Sequence, residues 1–226
     1  MKQTLDEKIR HTESLLAELL EVATPETVRV AWTGGKDSTV VLFIWKALLD
    51  HRGLGAVSAI NLDTGCKFPE IIAFRDKLAA QWGVDMHVAT PVVELEGYPL
   101  AQDVVTCCRD LKVSPLKQAV RDTGATHLLT GIRCDEHPDR AGRQSFEERD
   151  DPAHVMVNPI LEWTETDIWA FHDRFGLPHC ELYDVGYRSL GCQPCTAKPG
   201  QGAGERGGRD ESKEAVMKTL TSLGYF

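Results

Sequence analysis

Val28-Arg29-Val30-Ala31-Trp32-Thr33-Gly34-Gly35-Lys36-Asp37-Ser38-Thr39-Val40-Val41 runs from one apolar segment through a glycine turn into another. Residues 28–32 predict a short buried strand, and 40–49 carry the apolar pattern of a helix. Between them, Thr33, Gly34, Gly35, Lys36, Asp37 and Ser38 form a strand-to-helix turn. Glycines let backbone N–H groups come close to phosphate oxygens, and a helix N-terminus adds partial positive charge. Lys36 supplies a full charge and Ser38 a hydroxyl. The spacing is not the G-x4-G-K-[ST] of the Walker loop.

Outward from this turn, strands and helices alternate. Further strands are expected over 56–62, 84–89, 127–130 and 155–160. Helices are expected over 70–82, 115–122 and 164–175, the last capped by Thr164. The alternation predicts an α/β fold with a doubly wound, mostly parallel sheet, in which ligands bind beyond the carboxyl ends of the strands. Three segments follow: an N-terminal helix within 1–24, a nucleotide-binding domain over 25–197, and 198–226. The last holds the glycine-rich stretch KPGQGAGERGGR, read as a flap, then a closing helix over 211–223 and Gly224-Tyr225-Phe226.

The 226 residues suit one sizeable core. With 25 Lys+Arg against 34 Asp+Glu, the net charge of −9 argues against a general nucleic-acid coat. No run is apolar enough for a membrane span, and the opening MKQTLDEKIRHTESLLAELLEV lacks a signal-peptide apolar core. A cytoplasmic location is therefore the default expectation. In a reducing compartment, clusters among the seven cysteines point to metal or redox chemistry rather than structural disulfides.

Cys107-Cys108 is an adjacent pair, and Cys192 and Cys195 form a C-x2-C pair. Together they offer four thiolates for a [4Fe-4S] cluster. A four-cysteine zinc site competes, though it more often uses two C-x2-4-C pairs. Cys66, Cys134 and Cys180 are left over. Cys66 follows the second strand beside Lys67, so it is expected at the ligand crevice, with reactive potential. The eight histidines show no metal-ligand spacing, and His137, His172 and His179 carry no role that spacing can assign.

The turn resembles the SGGKDS loop of the N-type ATP pyrophosphatases, with Thr33 in place of the first Ser. With the cysteines, the chain resembles the adenylyl-sulfate and phosphoadenylyl-sulfate reductases of that superfamily. Their CC-x-x-R-K-V-x-P-L is matched by Cys107 to Leu116, with Leu111 at the Arg position and Lys112 at the Lys. The resemblance implies an iron-sulfur oxidoreductase of sulfate assimilation that binds an adenosine phosphosulfate and takes electrons from a thiol donor such as thioredoxin. Asp63, Thr64 and Gly65 match an L-D-T-G turn that lines the adenosine pocket. Gly131, Arg133 and Arg140 match a G-x-R-x-D-E…R-A segment, and Arg206 and Arg209 loosely match flap arginines. Lys112, Arg133 and Arg140 are the implied anion clamps. Asp135 and Glu136 would orient the arginines or help hold Mg²⁺ if ATP is used. The Trp163 and Trp169 segment matches a helix start read as architectural.

Two departures count. The reductases carry a later E-C-G-(L/I)-H cysteine that attacks sulfur, whereas this sequence has no cysteine after Cys195. Cys66, a partner's flap or a free thiol carrier is then the candidate attacking thiol. The phosphate loop, degenerate in many reductases, is intact here. That loop, DTGCKFPEIIAFRD, RCDEHPDRAGRQSFEERD and the terminal GYF resemble the small subunit of ATP sulfurylase, which works with a GTPase partner. The alternatives are thus a nucleotidyl transferase that cleaves ATP to pyrophosphate, and a non-catalytic iron-sulfur nucleotide-binding protein. Homo-oligomerisation and the 3′-phosphate preference stay open.

Overall fold

The computed structural model describes residues 3–224. Tyr225 and Phe226, part of the terminal run noted above, lie outside the described residues. The strands are β1 (Val28–Ala31), β2 (Ser58–Leu62), β3 (Asp85–Ala89), β4 (His127–Leu129), β5 (Phe146–Asp150) and β6 (Ala153–Val157). They form one sheet in the order β3-β2-β1-β4-β6-β5. All pairings are parallel except that of β5 with β6. From β1 the chain winds outward through β2 to β3, then returns to lay β4 on the other side. The order therefore reverses between β1 and β4, and that crevice is where a doubly wound sheet takes its ligand.

The helices are α1 (Leu5–Leu19), α2 (Lys36–Arg52), α3 (Pro69–Trp82), α4 (Val104–Cys108), α5 (Ser114–Thr123), α6 (Glu165–Phe175), α7 (Glu211–Ala215) and α8 (Met217–Ser222). The main core joins Ile9, Leu15, Leu16 and Leu19 of α1 to Val28 and Val30 of β1, and to Val40, Val41 and Trp45 of α2. Residues of α1 thus share the core of the sheet rather than packing separately. No helix of the described residues is long and apolar enough to cross a membrane.

Four elements differ from the sequence expectation. β5 reads Phe-Glu-Glu-Arg-Asp, an edge strand with exposed faces, so it carries no apolar alternation to detect. β6 ends at Val157, before Pro159, which has no N–H for the ladder. The helix expected over 115–122 is preceded by α4 and by a π-helical turn, Arg109–Val113. The closing helix breaks at Val216 into α7 and α8.

Thr164 caps α6 as expected. Its hydroxyl accepts from the Asp167 N–H, and the Asp167 carboxylate receives the Thr164 N–H at 2.8 Å. Lys8 of α1 donates to the same carboxylate at 2.6 Å and to the Glu162 carbonyl at 2.8 Å. Burial raises the Asp167 carboxyl pKa, but these donors outweigh it and hold it below 3.8. The resulting stability is full above about pH 4 and is lost as pH falls through the lowered value. Asp167→Asn is expected to cost about 1–2 kcal/mol at pH 7. Urea unfolding should show that deficit shrinking as the pH is taken well below 4.

Candidate active site

The phosphate loop is fixed by its own side chains. Gly34 takes the left-handed region at φ +79°, which turns the chain from β1 into α2. Ser38 Oγ accepts from the Thr33 N–H at 3.2 Å, and Thr33 Oγ1 accepts from the Gly35 N–H at 3.3 Å. The Lys36 N–H donates to the Tyr183 hydroxyl at 3.0 Å. His172 of α6 sets Nε2 3.0 Å from the Lys36 carbonyl, while burial pulls its pKa down and favours the neutral ring. The loop after β4 presses on this turn. A Cβ at Gly131 would stand 2.7 Å from the Ser38 nitrogen, so glycine is required by close approach.

Beneath the loop lies a buried charge network. Lys36 is 1% exposed. Its ammonium donates to Glu205 at 2.5 Å, Asp37 at 3.1 Å and the Arg188 carbonyl at 3.2 Å, which uses all its N–H donors. Arg133 is 0% exposed. It donates from Nε to Asp37 at 2.7 Å, from Nη1 to Asp135, and from Nη2 to both Glu205 oxygens at 2.6 and 2.7 Å. Burial works to lower the Lys36 pKa, yet Asp37, Tyr183 and Glu205 outweigh it and hold the ammonium above its ordinary range. Burial likewise opposes Asp37 ionisation, and Lys36 and Arg133 overcome it.

Above this network opens a pocket lined by Thr33, Gly35, Asp37, Ser38, Thr64 and Gly131, with the cations Lys67, Lys112, Arg140, Arg206 and Arg209. Arg140 pairs with Glu136, and Arg206 with Glu136 at 3.6 Å and with Glu214 at 2.7 Å. Burial and the neighbouring Lys112 bring Lys67 down to about 8. Several expected residues sit elsewhere. Arg133 and Lys36 lie under the loop rather than on the pocket wall. Asp63 accepts from the Gly65 N–H at 3.0 Å and from Arg75 at 3.3 Å, which pins the turn after β2. Asp135 accepts from the Glu165 N–H at 3.1 Å. The carboxylates of Asp37, Glu136 and Glu205 lie within 4.8 Å of one another, already neutralised by Lys36, Arg133, Arg140 and Arg206.

The paired cysteines meet in a second pocket. Cys107 and Cys108 end α4, and Cys192 precedes a 3₁₀ turn, Gln193–Cys195, that ends at Cys195. All four line one pocket with Leu100, Leu111, Pro194 and Cys66. The Gln193 N–H donates to the Cys66 carbonyl at 2.7 Å, which draws Cys66 toward the C-x2-C turn. Cys66 therefore faces the cysteines and not the phosphate loop. Among the described residues, no three of these thiols have sulfurs within 4.8 Å of one another. A single tetrahedral zinc needs sulfurs about 3.8 Å apart, given Zn–S bonds near 2.3 Å. Burial pushes the Cys192 thiol up, but Lys112, Thr64, Lys213 and Lys67 outweigh it and leave it lowered.

Lys112 and Cys192 line both pockets, so they form the wall between them. Lys112 comes from the π-helical turn, and Cys192 sits 3.2 Å from Thr64 Oγ1. Sequence reasoning missed Tyr183, His172, Lys67 and Glu205. Glu205 lay within the quoted ERGGR stretch, but nothing in spacing shows that it reaches Lys36.

The model of the phosphoadenosine phosphosulfate reductase domain matches residues 27–198. An adenosine 5′-phosphosulfate reductase of Mycolicibacterium smegmatis is 39% identical over 206 residues, covering 85% of this chain and 86% of that protein. One from Rhodococcus erythropolis is 36% identical over 160 residues, and the match covers 68% of this chain and 64% of its relative's length. A crystal structure of phosphoadenylyl-sulfate reductase from Candida auris superposes with a TM-score of 0.69 at 21% identity, covering 87% of this chain and 99% of that one. FMN adenylyltransferase of Candida glabrata, with FAD and pyrophosphate, gives 0.73 at 18% identity over 85% of this chain and 65% of that one. At such identities the two structures speak for the fold alone. The domain match over residues 27–198 spans the phosphate loop and both cysteine pairs, and the chain belongs to the phosphoadenosine phosphosulfate reductase domain family.

Proposed function

We propose that this chain reduces an adenosine phosphosulfate to sulfite and an adenosine phosphate. The carrying observation is the shared wall: a pocket ringed by cations abuts a pocket of four paired cysteines through Lys112 and Cys192. The curated relatives are named as adenosine 5′-phosphosulfate reductases. The phosphate and sulfate of the substrate would lie among Arg140, Arg206, Arg209 and Lys112, whose charge offsets the dianion and stabilises the departing phosphate. Arg133 acts as a positioning residue from beneath, holding Asp37 and Glu205.

Cys107, Cys108, Cys192 and Cys195 would hold a [4Fe-4S] cluster. An adjacent cysteine pair that shares a pocket with a C-x2-C pair suits such a cluster, and Lys112 beside Cys192 offsets thiolate charge. When bound, such a cluster supplies a fixed electrostatic field next to the sulfate. Mg²⁺ has no assigned place in this reading, because the acidic trio is already paired with cations.

The electrons come from a thiol. One thiolate attacks the substrate sulfur, the S–O bond breaks with its electron pair leaving on the adenylate phosphate, and a second thiol releases sulfite as a disulfide forms. Cys66 faces the cysteine pocket and its Sγ–H points to the Thr64 carbonyl at 3.3 Å, so the attack is assigned to an external dithiol donor such as thioredoxin.

The intact phosphate loop favours a second reading, cleavage of ATP to pyrophosphate with an acceptor such as sulfate. Its signature is pyrophosphate release from ATP plus sulfate, with no sulfite from adenylyl sulfate.

Anaerobically purified protein is expected to release sulfite from adenylyl sulfate with reduced thioredoxin. Lys112→Ala should lower that rate by about 10²-fold or more, and Cys66→Ser should keep it; sulfite release that vanishes in Cys66→Ser returns the attack to Cys66. Parallel runs with phosphoadenylyl sulfate give the 3′-phosphate preference. Iron and labile sulfide should be lost in Cys108→Ser and retained in Cys180→Ser, since Cys180 packs in a separate apolar cluster with Phe68 and Ile71. Equal iron content in both variants would remove the cluster assignment.

A further inference from the structure

The buried cations under the phosphate loop, Lys36 and Arg133, already hold an anion of the protein itself. Glu205 lies in the glycine-rich stretch, more than 160 residues from Lys36 in sequence, with its side chain 8% exposed. It meets Lys36 at 2.5 Å and Arg133 at 2.6 Å. Three of the loop's backbone donors are used as well: the Thr33, Gly35 and Lys36 N–H groups donate to Ser38, Thr33 and Tyr183. Lys36 and Arg133 supply two positive charges, and Asp37, Asp135 and Glu205 surround them, so the seat holds no uncompensated cation while Glu205 remains.

We propose that Glu205 is a specificity-determining residue: its carboxylate fills the seat on Lys36 and Arg133 that the outer phosphates of a nucleoside triphosphate would need. The site then accepts an adenylate with a short anionic tail and refuses pyrophosphate and ATP. This inference rests on the adenosine phosphosulfate reading and explains how an intact loop serves such a substrate.

The segment that delivers Glu205 is anchored rather than loose. Arg188 donates to the Ala203 carbonyl at 2.8 Å, and the Ala197 N–H donates to the Gly208 carbonyl at 2.7 Å. Arg206 is held by Glu214 at 2.7 Å, and Arg209 donates to Thr196 at 3.0 Å. The same short stretch sends Glu205 down onto the loop and Arg206 and Arg209 into the pocket above. A ligand that took Lys36 for itself would have to eject Glu205, and would pull on the arginines that ring the pocket. Exclusion of long phosphate chains and assembly of the cationic ring are thus one structural event.

The test is equilibrium binding of pyrophosphate, ATP and AMP by calorimetry to the intact protein and to two variants. Glu205→Ala opens the seat, and Glu205→Gln removes the charge at nearly constant shape. Both should bind pyrophosphate at least about tenfold more tightly than the unaltered protein, as removing one carboxylate from beside a polyanion implies. ATP should gain in parallel, so its affinity rises relative to AMP. Adding Lys36→Ala to Glu205→Ala should erase the gain. Pyrophosphate affinity unchanged within about twofold in both single variants, or tight pyrophosphate binding by the unaltered protein, overturns the proposal. Should none of these proteins bind AMP, the reductase reading fails instead, and the pyrophosphate arm still decides the role of Glu205.

Discussion

Lys36 and Arg133 are buried cations, and everything around them follows from the need to compensate them. A cation taken out of water costs several kcal/mol unless partners surround it. Asp37 and Glu205 do so from opposite ends of the chain, one on α2 and one in the glycine-rich stretch. Their contacts tie the loop after β1, the loop after β4 and the segment after the C-x2-C turn into one unit. The reversal of strand order between β1 and β4 brings the first two together, and the charges recruit the third.

The same unit orders the chemistry above it. Arg206 and Arg209 follow Glu205 in the chain and line the pocket above it. On the far side, the π-helical turn Arg109–Val113 carries Lys112 onto the wall between the cation-lined pocket and the cysteines. α7 and α8 close over this region, where Val104, Cys108 and Leu220 share an apolar cluster. Cys108 of α4 is therefore held by packing from within the fold, as a preorganised site requires.

Much of this was legible in the chain. The apolar run before Thr33, the glycines and the apolar run after Ser38 specify strand, turn and helix through local preference alone. Thr164 and Asp167 announce a helix start by a capping box that depends only on neighbours in sequence. The four cysteines were grouped by spacing, and they do line one pocket. β5 escaped notice because an exposed edge strand of charged residues has no apolar period. Arg133 was placed on the ligand side by its motif, while the structure sets it beneath the loop with three carboxylates. Its side-chain direction depends on partners distant in sequence, which no local pattern encodes.

The sequence by itself determined the class of fold, the position of the glycine loop between β1 and α2, and which cysteines and cations group together. These depend on short-range periodicity, turn chemistry and residue type. Only the tertiary structure decided that Glu205 would sit on Lys36, that Tyr183 would take the loop N–H, and that Lys112 and Cys192 would divide the two pockets. Those contacts join segments up to 169 residues apart, as Lys36 and Glu205 are. They exist because buried charges and backbone donors must find partners wherever the folded chain places them.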